Sequence, residues 1–308
     1  RLTRASCYER IHHGDFEGAT DILVSTAEKE WGLDVSCIAE STFDFGSRRQ
    51  ASPSPGGLLC SLMDRLSESH PVWVEKTPSH IYYLSTIFTE VPTAKVVEVV
   101  RDPRDVVSSR KTRRSTVWNS ERYTPEQRFR KHLLVAHHPI WDALAWKAAI
   151  QASGLLDYEK QEALLRIRYE DLVSRPEEVL ETVCAFLGVS FDPGMLSVGG
   201  ANPADPRAEA QYANRIVASS MTRWKKTLNS REAAIVQFLT KREMKMLGYR
   251  EVKIGIAARL WSHALWVSAA YEGLRRLNRR RRASGLRYML RQIESYFRRF
   301  AILAKATL

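Results

Sequence analysis

The chain has 308 residues, of which 44% are apolar and 27% are charged. This length and composition suffice for one large hydrophobic core or two smaller ones, and they exclude a mini-protein, a disordered tail and low-complexity or collagen-like classes. The formal net charge of +12 indicates a partner rich in negative charge, such as nucleic acid, anionic lipid or a polyanionic small molecule.

The positive charge is concentrated near the C-terminus. Residues 251–308 contain 13 lysines and arginines but only 3 acidic residues, a net charge of +10, so the first 250 residues carry only +2. The sequence therefore predicts two parts: an α/β domain over 1–250 and a basic, amphipathic helical extension over 251–308.

The first 70 residues are predicted to mix helical stretches with a loop. Apolar residues recur at helical spacing in Glu17–Gly32 and again in Leu58–Leu66. A connection rich in proline, serine and glycine, Ser47–Gly57, separates these two helices.

Three short apolar segments are predicted to be strands: Val72–Ser79, Ala94–Val100 and Ala163–Tyr169. The second is apolar almost throughout, which is typical of a strand buried on both faces of a parallel sheet. Asp102 stands directly before Pro103 and is well placed to cap a helix that begins at the proline. The alternation of strands, turns and helices indicates an α/β domain.

Four further segments have helical spacing: His80–Phe88, Thr124–Ser153, Pro176–Leu187 and Ser230–Leu247. Gly188 and Gly248 follow the last two segments and are predicted to close those helices, because glycine readily adopts the left-handed conformation of a helix end.

Charged and polar side chains follow the predicted strands. Ligands of parallel sheets bind beyond the carboxyl ends of the strands, where this chain places Lys76, Arg101 and Tyr169. Two cations and a phenol favour an anionic ligand such as a phosphate or a sulfate. Ser109 and Arg113 lie four residues apart on one face of the following helix and would extend this site. Taken singly, each residue also has a structural explanation, such as a salt-bridged Arg-Asp-Pro corner.

Five motifs follow one another in a characteristic order: Val74-Glu-Lys-Thr-Pro78, Phe88-Thr-Glu-Val-Pro-Thr-Ala-Lys95, Val99-Val-Arg-Asp-Pro-Arg-Asp-Val-Val-Ser-Ser109, Arg168-Tyr-Glu-Asp-Leu-Val173 and Ala185-Phe-Leu-Gly188. This run, over about residues 72 to 250, resembles the sulfotransferase superfamily, in particular the bacterial-type branch related to tyrosylprotein sulfotransferases.

The resemblance implies a P-loop-like, three-layer α/β fold with a central parallel sheet. It also implies transfer of a sulfuryl group from 3′-phosphoadenosine 5′-phosphosulfate (PAPS) to a hydroxyl or amine. Lys76 resembles the lysine that steadies the transferring sulfuryl group. Positioned cations stabilise the charge of such a transition state, so we expect no metal.

The resemblance further implies roles for five residues in binding PAPS. Arg101 and Ser109 resemble the pair that binds the 3′-phosphate, with Arg113 as an additional contact. Tyr169 resembles the tyrosine near the adenosine diphosphate moiety. Arg223 resembles the basic residue that reaches the phosphates from a late loop.

Two parts of the family pattern are missing from the sequence. One is a Gly-rich loop of the type P-R-S-G-T-T, which holds the 5′-phosphosulfate at a helix N-terminus. Because this loop precedes E-K-T-P in the family, we expect the sequence to begin just after it and to be impaired in catalysis as it stands. The other is the general base, which stays unassigned. The nearest candidates are His12, His13, Asp15 and Glu17, with His137 and His138 as weaker ones.

Two alternatives to a sulfotransferase stay open. One is a catalytically inactive relative that retains the nucleotide 3′-phosphate site, and a more distant one is a P-loop kinase relative. The acceptor, expected to be a small molecule, a lipid or a glycan, cannot be identified, because the loops that would form its pocket, Ala39–Gly57 and Ser190–Gln211, carry no recognisable pattern.

The basic extension, residues 255–308, has Trp, Leu and Phe at helical spacing among arginines. Such a helix suits an anionic membrane surface, and packing on the α/β domain is the equal alternative. No nucleic-acid partner is expected, since aromatic residues confined to an apolar face do not suit base stacking. We expect a cytoplasmic protein, with the extension as a peripheral contact to membrane, and reduced structural thiols at Cys7, Cys37, Cys60 and Cys184.

Overall fold

The computed structural model describes residues 72–119, 137–197 and 221–275, together with positions 60, 124, 301, 302 and 304. The chain forms two compact units, Arg1–Ala94 and Lys95–Leu308. The predicted helix Glu17–Gly32 lies outside the described residues, as does most of Leu58–Leu66, of which Cys60 alone is described and is helical. The predicted domain boundary near residue 250 stays a prediction.

The described part of the first unit is helical after an irregular start. Residues 72–77 have no regular secondary structure, and a 3₁₀ helix, Pro78–Tyr83, leads directly into helix α1, Leu84–Glu90. Leu84 and Phe88 are buried on one side of α1, four residues apart. The predicted helix His80–Phe88 is thus confirmed, with its first turn wound as a 3₁₀ helix.

The predicted strand Val72–Ser79 is wrong. Val74 is 80% exposed, and no strand pairs with this segment among the described residues. The Glu75 carboxylate instead accepts hydrogen bonds from the backbone N–H and the hydroxyl of Thr77. These local contacts favour a turn over an extended ladder, and Pro78, in the first helical turn, then starts the 3₁₀ helix.

The second unit contains a parallel strand pair, β1, Val96–Val100, and β2, Leu164–Arg168. The register runs from Val96 opposite Leu164 to Val100 opposite Arg168. Both strands lie within segments predicted to be strands. Because parallel strands need a crossover connection that contains helices, this pairing confirms the α/β class.

A buried ion pair crosses the two strands. The register places Glu98 opposite Arg166, and Arg166 Nε donates to Glu98 Oε2 at 2.7 Å. The Ser153 hydroxyl donates to Glu98 Oε1 at 3.1 Å. Burial raises the pKa of Glu98, and the Arg166 charge opposes that shift. On the other face of β1, Val99 is 52% exposed, so the predicted burial on both faces is not met at this position.

The other helices in the described part of the second unit include α2, Pro103–Asn119; α3, Pro139–Gly154; α4, Tyr158–Gln161; α5, Tyr169–Ser174; α6, Pro176–Leu187; α7, Trp224–Thr227; α8, Ser230–Met246; and α9, Ile256–Ser262. A 3₁₀ turn occupies Pro193–Leu196, and residues 265–275 are also helical. The predicted helix starts at Pro103, Pro176 and Ser230 are confirmed. Of the predicted helix Thr124–Ser153, the part from Pro139 onward is confirmed, whereas Thr124, His137 and His138 are not helical.

Helix α8 lies at the centre of this unit and packs against α2, α3 and α9. Its fully buried Ile235 and Val236 form one apolar cluster with Val107 of α2 and Ile140 of α3. A second cluster joins the end of β1 to α3 and α8 and comprises Val100, Trp146, Ile150, Met244 and Tyr249. The end of the sheet is therefore anchored in the core.

The ends of two helices have the local structure that their capping residues favour. Gly188 closes α6 in the left-handed conformation, with φ 77°, where a side chain would be strained. Asn229 caps α8: its side chain accepts from the N–H groups of Arg231 and Glu232, and the Glu232 carboxylate accepts the Asn229 N–H. This reciprocal pair is a capping box.

The described part of the basic extension packs on the rest of the second unit. Ala269 is buried in the core cluster, and its carbonyl accepts a 2.9 Å hydrogen bond from Trp141 Nε1. The Ser268 hydroxyl lies 3.0 Å from His138 Nε2. Packing on the domain, one of the two open alternatives, thus holds for these residues. None of the helices in the described ranges combines the length and apolarity needed to cross a bilayer.

Replacing Asn229 with alanine should lower the free energy of unfolding by about 1 kcal/mol, because two N–H groups of α8 lose their acceptor. Denaturant unfolding followed by circular dichroism measures this loss. The exposed neighbour Ser230, which makes no cap, is the matched control, and Ser230→Ala should change stability by less than about 0.5 kcal/mol. Equal losses from the two substitutions would contradict the capping role.

Candidate functional site

Two of the predicted site residues meet at the carboxyl ends of the strands. Because Val100 is aligned with Arg168, the residues that follow, Arg101 and Tyr169, are neighbours. The Arg101 guanidinium lies over the Tyr169 ring, with its Cζ 4.6 Å from the ring centroid. Trp146 Nε1 donates a 3.0 Å hydrogen bond to the Arg101 carbonyl and fixes the backbone there. This is the sheet edge at which parallel α/β domains bind ligands.

The carboxylate of Asp102, the residue after Arg101, is neutralised by Arg104 in the same turn. The Asp102 carboxylate accepts hydrogen bonds from Arg104 Nε at 2.9 Å and from Arg104 Nη2 at 2.6 Å. Both side chains are buried. It also accepts the Arg104 backbone N–H at 2.8 Å, which is the predicted cap of α2. Arg104 Nη1 donates to Gln237 Oε1 at 2.8 Å, and its guanidinium lies 4.4 Å from the Trp224 ring centroid. Arg104 is therefore a structural cation.

A second acid, Glu170, ties the two strand ends together. Its Oε1 accepts the Asp102 backbone N–H at 3.0 Å, and its Oε2 accepts the Tyr249 hydroxyl at 2.8 Å. The Arg168 guanidinium lies 4.5 Å from the Tyr249 ring centroid. Burial raises the pKa of Tyr249, and the Glu170 charge raises it further, so the phenol stays protonated and donates. Sequence reasoning missed Glu170, although it stands directly after β2 in R-Y-E-D-L.

Helix α2 carries Ser109 and Arg113 on its exposed surface. The adjacent Ser108 is fully buried, and its hydroxyl lies 2.5 Å from the Thr227 hydroxyl of α7. Ser108 therefore holds α7 against α2. Ser109 and Arg113 thus lie on the helix that begins two residues after Arg101.

The segment around Arg223 is held against α2 by Asp105. The two carboxylate oxygens of Asp105 accept the backbone N–H groups of Thr222 at 2.8 Å and Trp224 at 2.9 Å, on either side of Arg223. Thr222 has φ 56°, a left-handed conformation that is rare for a β-branched residue. Burial raises the pKa of Asp105, while these two N–H groups and the Arg101 charge act to lower it. Arg223 itself is exposed.

Lys76 belongs to the first unit. It is exposed and lies in the irregular segment 72–77, next to Glu75. The Glu75 carboxylate is 2.7 Å from Nδ1 of His80, and it also accepts from Thr77. The position of Lys76 thus depends on a small polar turn rather than on a strand end. Its predicted catalytic role stays a prediction.

The described candidates for the general base have structural roles. Nδ1 of His137 is 2.6 Å from Oδ2 of Asp142. Nδ1 of His138 accepts the Ile140 N–H at 3.3 Å and caps α3, while its Nε2 contacts Ser268. Both histidines are buried, so neither is suited to meet an acceptor hydroxyl. The candidates His12, His13, Asp15 and Glu17 lie outside the described residues.

Within the parts of the chain that the structure describes, no three His, Cys, Asp or Glu residues are arranged to hold a metal ion. Cys60 and Cys184 are thiols rather than disulfide partners, and Cys184 is buried beside the sulfur of Met195. Cys7 and Cys37 lie outside the described residues.

Comparisons with known proteins point to sulfotransferases. Residues 47–193 match the model of the sulfotransferase family, a range that includes all the predicted site residues except Arg223. No curated protein matches the sequence. Among solved structures, the chain is similar to the sulfotransferase domain from the curacin biosynthetic pathway, at 23% identity over 75% of this chain and 79% of that chain, with a TM-score of 0.41.

The bacterial-type branch of the superfamily stays a prediction. The predicted resemblance to the sulfotransferase superfamily is supported by the family match over residues 47–193, slightly less than half of the chain.

Proposed function

We propose that this protein transfers a sulfuryl group from PAPS to a hydroxyl or amine of an acceptor. The family match supports a sulfotransferase in general. The observation that carries the choice of donor is the stack of Arg101 on Tyr169 at the ends of the paired strands. It places a cation and an aromatic ring together, as a nucleotide with a phosphate requires.

In this proposal Arg101 and Ser109 bind the 3′-phosphate. The Arg101 guanidinium lies over the Tyr169 ring, and its N–H groups suit the oxygens of a phosphate. Arg104 offsets the neighbouring Asp102 carboxylate, which reduces repulsion of an anionic ligand. The Ser109 hydroxyl is exposed on α2 and can add a hydrogen bond.

Three further residues complete the proposed nucleotide site. Tyr169 would lie near the adenosine diphosphate moiety, while Arg113 and Arg223 would contact phosphate oxygens. Both arginines are exposed, and Asp105 links the Arg223 segment to the same helix that carries Arg113. The cations of this site therefore stand on elements that are bonded to one another.

During transfer, the bond between sulfur and the bridging phosphate oxygen breaks, and a bond forms between sulfur and the acceptor oxygen or nitrogen. The acceptor proton passes to a base that is not identified. Negative charge develops on the bridging oxygen of the departing adenosine 3′,5′-bisphosphate. Fixed cations that face this charge lower the barrier, and Lys76 is the proposed cation at the sulfuryl group.

An inactive relative that binds the nucleotide without transferring sulfate is the second candidate. The 308 residues contain no loop of the P-R-S-G-T-T type, and this candidate does not require one. The two candidates share the 3′-phosphate site and differ in turnover, so binding and transfer are measured separately below.

Arg101→Ala should weaken the binding of adenosine 3′,5′-bisphosphate by about 10- to 100-fold, the range expected for a lost hydrogen bond to a charged group. Ser109→Ala should weaken it by roughly 5-fold, since a neutral donor is lost. Isothermal titration calorimetry of the 308-residue chain measures both. Arg175→Ala, which removes an exposed arginine paired with Glu178, is the control and should bind as the unchanged chain. Unaltered affinity in Arg101→Ala would contradict the assigned site.

Lys76→Ala should lower the rate of sulfate transfer by roughly 100-fold and change the affinity for the bisphosphate little. The reason is that Lys76 is proposed to contact the transferring sulfuryl group, which the bisphosphate lacks. Transfer of labelled sulfate from PAPS to the acceptors of a cell lysate measures the rate. Lys160→Ala, at a surface lysine near Asp157, is the control. A loss of bisphosphate affinity equal to that of Arg101→Ala would contradict the role. Binding without transfer, in a chain extended upstream through the Gly-rich loop, would favour the inactive relative.

Asp105→Ala should weaken bisphosphate binding through Arg223, since the N–H groups on both sides of Arg223 lose their acceptor. We expect a loss of roughly 10-fold. In an Arg223→Ala background, the same substitution should weaken binding by less than about 2-fold, because the residue it positions is gone. Equal losses in the two backgrounds would show that Asp105 does not act through Arg223. Thermal unfolding of each variant reports separately on folding.

A further inference from the structure

The helices that follow the α/β core expose two rows of large apolar side chains. Between residues 256 and 274, seven such side chains are 41% to 78% exposed; together they are termed the apolar band: Ile256, Leu260, Trp261, Trp266, Val267, Tyr271 and Leu274. Ile256 and Leu260 are four residues apart, and Val267, Tyr271 and Leu274 follow the same helical spacing. Single exposed apolar residues are ordinary, whereas an exposed set of this density marks an interaction surface.

The orientation of the apolar band is set by the opposite side of the same helices. Ser262 and Ala269 are buried within the second unit, and Trp141 donates its indole N–H to the Ala269 carbonyl. The Gly273 backbone lies so near the Trp141 ring that a Cβ there would come within 3.3 Å of it. These contacts turn the band away from the core.

Cations stand beside the apolar band. The Arg231 guanidinium of α8 lies 5.5 Å from the Trp261 ring centroid. Arg259 is exposed between Ile256 and Leu260, and Arg275 is exposed directly after Leu274. Further along the sequence come Arg276 and the run Arg279-Arg-Arg-Arg282, and residues 251–308 carry 13 basic against 3 acidic side chains. The apolar surface is therefore bordered by positive charge.

We propose that the apolar band is a docking surface for an anionic lipid membrane. Tryptophan and tyrosine are the side chains that membrane interfaces favour, and aliphatic neighbours can enter the acyl boundary below the headgroups. The bordering arginines match the negative headgroups. The protein would lie on the membrane rather than cross it, with its helices parallel to the surface.

The same observations oppose two other occupants. A second copy of the chain, docked by the same band, would bring like-charged arginines towards each other, because a two-fold interface pairs each patch with itself. Nucleic acid would meet Ile256, Leu260 and Val267, which cannot stack on bases. An anionic lipid surface suits both the aliphatic and the basic side chains.

Vesicle sedimentation with the 308-residue chain tests the proposal. The chain should bind phosphatidylcholine vesicles that contain about 30% phosphatidylserine at least tenfold more tightly than vesicles of phosphatidylcholine alone, and less tightly at high salt. The double variant Leu260→Ser with Val267→Ser should lose roughly tenfold of the binding to the anionic vesicles. Both residues are exposed, so the fold should tolerate the change, and thermal unfolding verifies this.

The matched control is Leu155→Ser with Tyr158→Ser, which removes two exposed apolar side chains outside the band and should bind vesicles as the unchanged chain does. Three results would each overturn the proposal: no binding to anionic vesicles, binding that the Leu260 and Val267 changes leave intact, or equal binding to neutral vesicles. A dimer in sedimentation velocity that the band variant abolishes would assign the surface to a second copy. These outcomes do not depend on sulfate transfer.

Discussion

The parallel pairing of β1 with β2 is the constraint on which the proposed site depends. Its register brings the residues after the two strands, Arg101 and Tyr169, into contact. Glu170 then reinforces the junction, because it accepts hydrogen bonds from the backbone after β1 and from Tyr249. A one-residue slip of either strand would separate the guanidinium from the ring and turn neighbouring side chains to the opposite face of the sheet.

The acidic and the basic side chains near this junction have different roles. Asp102, Asp105 and Glu170 each satisfy backbone N–H groups, and Arg104 offsets the buried Asp102 carboxylate. Because unpaired buried charge is costly, these acids need such partners to be held inside the fold. The proposed ligand contacts come instead from arginines and a serine whose side chains are exposed or half-buried. An anionic ligand would therefore contact the positive charges, while the buried acids that hold the backbone already have hydrogen-bond partners.

Local signals made much of the fold predictable, whereas contacts between distant residues did not. Asp102 and Gly188 act on their nearest neighbours, so their capping roles follow from the residue types alone. The strand predicted at Val72–Ser79 was wrong because an apolar run needs a pairing partner, and the polar turn around Glu75 competes with pairing. Asp105 was missed because its partners Thr222 and Trp224 lie more than a hundred residues away. The order of the motifs along the chain predicted the sulfotransferase superfamily, and the family match over residues 47–193 supports that prediction.

The central claim is that Arg101 and Ser109 form the 3′-phosphate site of a PAPS-dependent sulfotransferase. A crystal structure of the chain with adenosine 3′,5′-bisphosphate tests it most directly. The account predicts the 3′-phosphate oxygens within hydrogen-bond distance, about 2.7 to 3.2 Å, of the Arg101 guanidinium and the Ser109 hydroxyl. A nucleotide bound elsewhere, or bound with its 3′-phosphate directed away from Arg101, would contradict it.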